Sequence, residues 1–129
     1  FMQGTEITNG IFKTAKHQVV LPITEVVPAN EFFDFGAKYK GESQEITPAR
    51  LSAELTAEVQ KTTTFIYNTL GCNGIVRIDY IITDGNKINL LEVNTTPGMT
   101  PASFIPQQIR AAGLDIKDVM DDIIENELN

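Results

Sequence analysis

The chain has 129 residues, 42% of them hydrophobic and 21% charged, which is enough for one buried core and too little for two. A formal net charge of -7 excludes nucleic-acid binding by bulk electrostatics, and the single Cys72 excludes an internal disulfide and agrees with a reducing compartment. No run approaches the roughly 18 apolar residues of a membrane span and no basic, apolar, small-residue series marks a signal peptide, so the sequence predicts a soluble, cytoplasmic protein without a membrane partner.

The opening "FMQGTEITNGIF" carries neither a start signal nor a cap, which predicts a chain entered partway through; a start at Met2 is the alternative. Thr5 to Phe12 alternates as an antiparallel strand and Thr14 to His17 turns it back. In "QVVLPITEVVP" the second strand contains Pro22, which cannot donate to a ladder and so predicts a sheet edge or a bulge. From about 35 to 48, "FGAKYKGESQEITP" has glycines and charges but no periodicity, the pattern of a mobile functional loop, with an ordinary solvated loop as the competing reading.

Ser52 is suited to cap a helix over Ala53 to Leu70, with Leu55, Val59, Ile66 and Leu70 as its apolar stripe and Gly71 as the residue that stops it. "NGIVRIDYIIT" and "KINLLEVN" read as two strands around "DGN". Two short helices follow, one stopped by Gly113 and the next capped by Asp115, with Ile116, Val119, Met120, Ile123 and Ile124 as a buried face. The fold class expected is α+β: a mainly antiparallel, twisted sheet whose apolar face lies under the first helix, with the C-terminal helices at the sheet edge.

A two-residue turn at Gly85 and Asn86 sets Asp84 opposite Lys87, Asp79 opposite Glu92 and Arg77 opposite Asn94. Arg77, Asp79, Glu92 and Asn94 then share one face, while Val76, Ile78, Tyr80, Leu91 and Val93 share the buried one. Two carboxylates directly opposite each other repel, which a bound Mg2+ would offset because it takes one or two carboxylates and fills its other sites with water and phosphate oxygens. Asn94 adds a neutral oxygen, and the rigid fork of Arg77 suits a phosphate or a developing oxyanion. The competing reading is a solvated Arg77, Asp79, Glu92 surface network, and a three-residue turn would move Glu92 to the wrong face. Neutralising Asp79 is expected to leave the fold intact or slightly more stable. Cys72 is an unpromising nucleophile, since the one histidine, His17, lies far from it in sequence.

The stretch "VRIDYIITDGNKINLLEVNTTPGMT", with "GTEIT", "FFDFGAKY", "LGCNG" and "ASFIPQQIRAAG" around it in this order, resembles the C-terminal half of D-alanine-D-alanine ligases of the ATP-grasp superfamily. The resemblance implies that residues 1–129 are the C-terminal portion of an ATP-grasp domain with a lid loop near 35–48. The substrate domain and most of the small ATP-binding lobe would lie before Phe1. By the same resemblance Asp79, Glu92 and Asn94 match ligands of two Mg2+ (or Mn2+) ions holding the β- and γ-phosphates of ATP, with Glu92 bridging them. Arg77 matches the arginine that stabilises the acyl phosphate and tetrahedral intermediate, and Gly98 the backbone donor to its oxyanion. Ser103 and the backbone at Phe104 match positions that receive the carboxylate of the second D-alanine, although Leu is frequent in the family where Phe104 stands.

Lys38 matches the lysine on the γ-phosphate, Tyr39 the tyrosine that orders the lid, Met2 the hinge whose backbone meets adenine, and Glu6 a ribose-binding acid. The implied function is ATP-dependent joining of two D-alanines for peptidoglycan synthesis, with a homodimer left open for the whole enzyme. The isolated chain is expected to be inactive and to bind nucleotide weakly at most. The Lys38-Tyr39 pair favours an amine acceptor over D-lactate. Alternatives are another ATP-grasp carboxylate-amine ligase, a D-alanine-D-lactate ligase, and a non-catalytic binding domain of the same fold.

Overall fold

A computed structural model describes residues 4–28 and 44–128. Thr5–Lys13 (β1) and Gln18–Val27 (β2) pair antiparallel across a turn in which Thr14 N–H donates to the His17 carbonyl at 2.9 Å. Between Asn9 and Ile11 the register slips, so that Leu21 and Pro22 together stand opposite Gly10. This is the bulge that Pro22 predicts.

The last part of the stretch predicted as loop is not loop: Gln44–Ile46 forms a short strand, β3, paired with Glu25 to Val27. The end of β2 offers unpaired backbone groups there, and an extended segment satisfies them. The rest of that stretch, with Lys38 and Tyr39, lies outside the described residues, as does Met2.

Helix α1 runs Ala53–Thr69, and Ser52 Oγ accepts from Leu55 N–H at 3.1 Å as its cap. At the other end Gly71 adopts φ +65°, its N–H donates to the Asn68 carbonyl and Cys72 N–H donates to that of Tyr67, closing the helix as predicted. The buried stripe differs from the apolar pattern: it is Val59, Thr63 and Tyr67, whereas Leu55 and Ile66 are half-buried and Leu70 is 60% exposed. Burial of the two polar residues costs little because their hydroxyls are paired. Thr63 Oγ1 shares a hydrogen bond with Tyr80 OH at 2.7 Å, and Tyr67 OH donates to the Gly74 carbonyl at 2.7 Å. Burial pushes the Tyr80 phenol up to about 12, so it stays a neutral hydrogen-bonding group.

Val76–Thr83 (β4) and Lys87–Asn94 (β5) complete a sheet of order β3-β2-β1-β4-β5, with each neighbouring pair antiparallel. The β4 to β5 turn corrects the sequence reading, because Thr83, not Asp84, faces Lys87. Asp84 (φ +52°) and Gly85 (φ +82°) are both left-handed, a conformation that Asp tolerates and Gly accepts freely. A second irregularity follows: Tyr80 faces Leu90 while Asp79 faces Glu92, so Leu91 is an extra residue in β5. Leu91 is therefore 48% exposed and does not join the buried face assigned to it. The longer turn alone would have flipped Glu92 to the other face, and the bulge flips it back.

Phe104–Ala111 (α2) and Ile116–Leu128 (α3) do not sit at the sheet edge. They cover the face opposite α1, where Ile105, Ile109, Val119 and Ile123 pack with Phe12 and Leu21. Gly10 permits this approach, since a Cβ there would overlap Ile105 Cδ1. Gln108, fully buried, ties the helix to the sheet: its Oε1 accepts from Gly10 N–H at 2.8 Å, and its Nε2 donates to the Thr8 carbonyl and to Thr24 Oγ1, each at 3.0 Å. Of the predicted α3 face, Ile116 and Met120 are half-buried and Ile124 is 52% exposed. Asp115 Oδ1 accepts from Asp118 N–H, the predicted cap.

Candidate functional site

Alternation along β4 separates structure from chemistry. Val76, Ile78 and Tyr80 are buried towards α1, while Arg77 and Asp79 between them are half-buried on the other face. On that face Asp79 stands opposite Glu92 and Arg77 opposite Asn94, the register expected from the sequence. Thr8 on β1 flanks Asp79 on its other side.

The guanidinium of Arg77 forks onto Asp79, with Nε to Oδ1 and Nη2 to Oδ2 both at 3.0 Å. The two side chains are 19% and 21% exposed, so this pair is partly withdrawn from water. The Phe104 ring lies over the same guanidinium, 5.2 Å from its central carbon to the ring centroid. Glu92 is exposed and makes no ion pair among the described residues. Asn94 Oδ1 accepts from Thr96 N–H at 2.9 Å, which begins the turn into "TTPGMT".

Gly98 and Ser103 meet in that turn. A Cβ on Gly98 would come within 2.9 Å of Ser103 Oγ, which is held by Thr100 Oγ1 at 2.8 Å. Ser103 precedes α2 without capping it through its side chain, leaving the hydroxyl turned to the Thr100 turn.

Glu6, Thr8, Asp79, Leu91, Glu92 and Phe104 line a depression of about 210 Å³. It gathers Glu6, Asp79, Glu92 and Phe104 from the sequence expectations; Arg77, Asn94, Gly98 and Ser103 are not among its lining residues. Thr8 and Leu91 are additions. Leu91 reaches the depression through the bulge, which the sequence does not announce, whereas Thr8 was legible as lying two residues from Glu6 on the same strand face. Thr8 is 2% exposed and its Oγ1 is buried without a hydrogen-bond partner.

Among the described residues no group of three or more His, Cys, Asp or Glu is arranged to hold a metal. The donor set here is instead two carboxylates and an amide, all oxygen donors of the kind a hard divalent cation takes. It fits such an ion on one condition, that Arg77 yields at least one oxygen of Asp79.

A family model described as D-ala D-ala ligase C-terminus matches residues 1–125. The chain belongs to the D-Ala-D-Ala ligase family. A D-alanine--D-alanine ligase from Phocaeicola vulgatus is 70% identical over 127 residues, covering 98% of this chain and 39% of that protein. Among solved D-Ala-D-Ala ligase structures, that from Bacillus anthracis complexed with ATP matches with a TM-score of 0.78 and 35% identity, covering 99% of this chain and 39% of its own. A D-Ala:D-Ser ligase from Enterococcus faecalis matches with a TM-score of 0.76 and 30% identity, over 96% of this chain and 36% of its own. The chain thus spans about 39% of the length of the D-Ala-D-Ala ligase relative from P. vulgatus.

Proposed function

We propose that the protein carrying this chain is an ATP- and Mg2+-dependent ligase that joins two D-alanines through an acyl phosphate, and that these residues form the metal-bearing lobe of its ATP-grasp domain. The observation that carries the reading is the cross-strand pair of Asp79 and Glu92, with Asn94 and Arg77 in register beside it on a half-open face. A sheet tolerates two opposed carboxylates better when a cation lies between them.

In this reading Asp79, Glu92 and Asn94 hold one or two divalent ions, Mg2+ or Mn2+, which neutralise phosphate charge when bound. Glu6 accepts from ribose hydroxyls, and Leu91 supplies an apolar wall to the depression. Arg77, released from one oxygen of Asp79, turns its fork to the acyl phosphate and then to the oxyanion left when the second D-alanine attacks. Gly98 N–H donates to that oxyanion, and Ser103 with the backbone at Phe104 receives the acceptor's carboxylate. Lys38, Tyr39 and Met2 lie outside the described residues; the family resemblance alone assigns the first two to a lid, which would exclude the water that hydrolyses an acyl phosphate, and Met2 to the adenine hinge. The reaction belongs to cytoplasmic peptidoglycan-precursor synthesis.

The likeness to a D-Ala:D-Ser ligase favours one second reading, a ligase of the same fold with another amine acceptor. Phosphate release by the whole enzyme with Mg-ATP, run with D-alanine and D-serine beside a folded Glu92→Gln variant, separates the two. Release that needs D-alanine and collapses in the variant supports the first. Release with ATP but without dependence on D-alanine overturns it. The isolated 129-residue chain should release no phosphate, since an ATP-grasp cleft needs both lobes.

A further inference from the structure

Thr8 presents a buried hydroxyl with no partner; among the described residues the other such side-chain atom is Oδ1 of the adjacent Asn9, whose side chain lies on the opposite face of β1. Its own carbonyl accepts from Gln108. Its in-register neighbour on β2, Thr24, already shares its hydroxyl with Thr47 at 2.6 Å and accepts from Gln108. Its in-register neighbour on β4 is Asp79. Residues opposed in this way stand on one face with Cβ atoms about 4.5–5.5 Å apart, within reach of a hydroxyl and a carboxylate.

Asp79 is turned along its own strand, each oxygen taking one bond from Arg77. Each Asp79 oxygen has two lone pairs, so an oxygen that turns from Arg77 to a cation keeps one lone pair for a further donor. A buried hydroxyl left unpaired keeps the cost of its lost hydration. An arrangement in which Asp79 leaves the fork would remove that cost.

We infer that Thr8 is a positioning residue for Asp79: its hydroxyl donates to the carboxylate once a divalent cation claims it, taking the place that Arg77 vacates. The inference rests on the metal reading above and adds an exchange to it. Arg77 is withheld on Asp79 before the cation arrives and set free when Thr8 takes over. Donors behind a ligating carboxylate fix its orientation.

The test titrates Mn2+ into the whole ligase holding a non-hydrolysable ATP analogue, read by water-proton relaxation, with the unliganded melting temperature measured alongside. Thr8→Val should weaken Mn2+ about tenfold while leaving the unliganded melting temperature unchanged or raised, and Thr8→Ser should restore the affinity. Thr8→Ala serves if the valine variant fails to fold. Wild-type Mn2+ affinity in Thr8→Val, or equal losses in the serine and valine variants, would overturn the exchange while leaving the metal reading in place. Mn2+ binding that is absent in the wild type, or unmoved by Glu92→Gln, would overturn the metal reading and the Thr8 role together.

Discussion

Under α1 the sheet meets a helix with its hydroxyls paired and its apolar side chains enclosed, whereas on the opposite face α2 and α3 cover only the Phe12 and Leu21 end and leave Glu6, Asp79 and Glu92 beside a depression. Both faces are written in the same strands. Ile78 and Asp79 are consecutive, yet one is fully buried under α1 and the other belongs to the candidate site. The difference teaches that the closed face supplies the rigidity on which the open face holds its carboxylates in register. Among the described residues each face also has a carboxylate paired with an arginine, and the two pairs differ in setting. Glu25 with Arg50 is bonded three ways beside the entry to α1, while Asp79 with Arg77 lies where a ligand would compete.

The largest expected effect breaks the closed face. Ile78→Asp puts an unpaired charge in a fully buried position and should abolish cooperative unfolding and the native circular dichroism spectrum. Next comes the seam between sheet and α2. Gly10→Ala forces a Cβ against Ile105 Cδ1 and should cost about 1–3 kcal/mol by urea denaturation. Ile105→Val in the same chain should recover part of that loss, and no recovery would mean that the strain lies elsewhere.

A smaller effect separates the two ion pairs by pH. The side-chain hydrogen bond from Arg50 is the main reason that Glu25 sits below its ordinary carboxylate value, outweighing the opposing effect of burial. A depressed folded-state pKa adds stability that is present above the unfolded value and is lost as pH falls through the folded one. Glu25→Gln should therefore flatten the loss of stability on acidification, measured as urea midpoints from neutral pH downwards. Asp79→Asn should have the smallest effect on the fold, a loss of about 0.2–1 kcal/mol, because the side chains are partly exposed. That reverses the sign expected from the opposed carboxylates alone, because the variant also gives up the charged fork with Arg77; an increase in stability would show that the repulsion by Glu92 is the larger of the two.

Much of this was legible in the sequence because the signals are local. Ser52 and Gly71 bound α1, Asp115 caps α3, and strict alternation placed Asp79 with Arg77. What was not legible depends on partners distant in the chain. Thr63 and Tyr67 read as polar until Tyr80 and Gly74 are seen to satisfy them. The three residues of β3 become a strand only through β2. The Asp79 and Glu92 register was right although the turn assumed for it was wrong, since the turn is one residue longer and Leu91 compensates. The face of Thr8 follows from its spacing to Glu6, but its role does not, because a threonine in a strand ordinarily signifies only a residue at ease in a pleated sheet.

The extra residue at Leu91 has a consequence for the whole hairpin. It lies between the Asp84 to Asn86 turn and the acidic pair, so the register at the tip of the hairpin and the register at Glu92 differ by one residue. Glu92 keeps its face only while the turn length and this extra residue match each other. An insertion or deletion at the tip that no change at Leu91 offsets would disable the acidic pair.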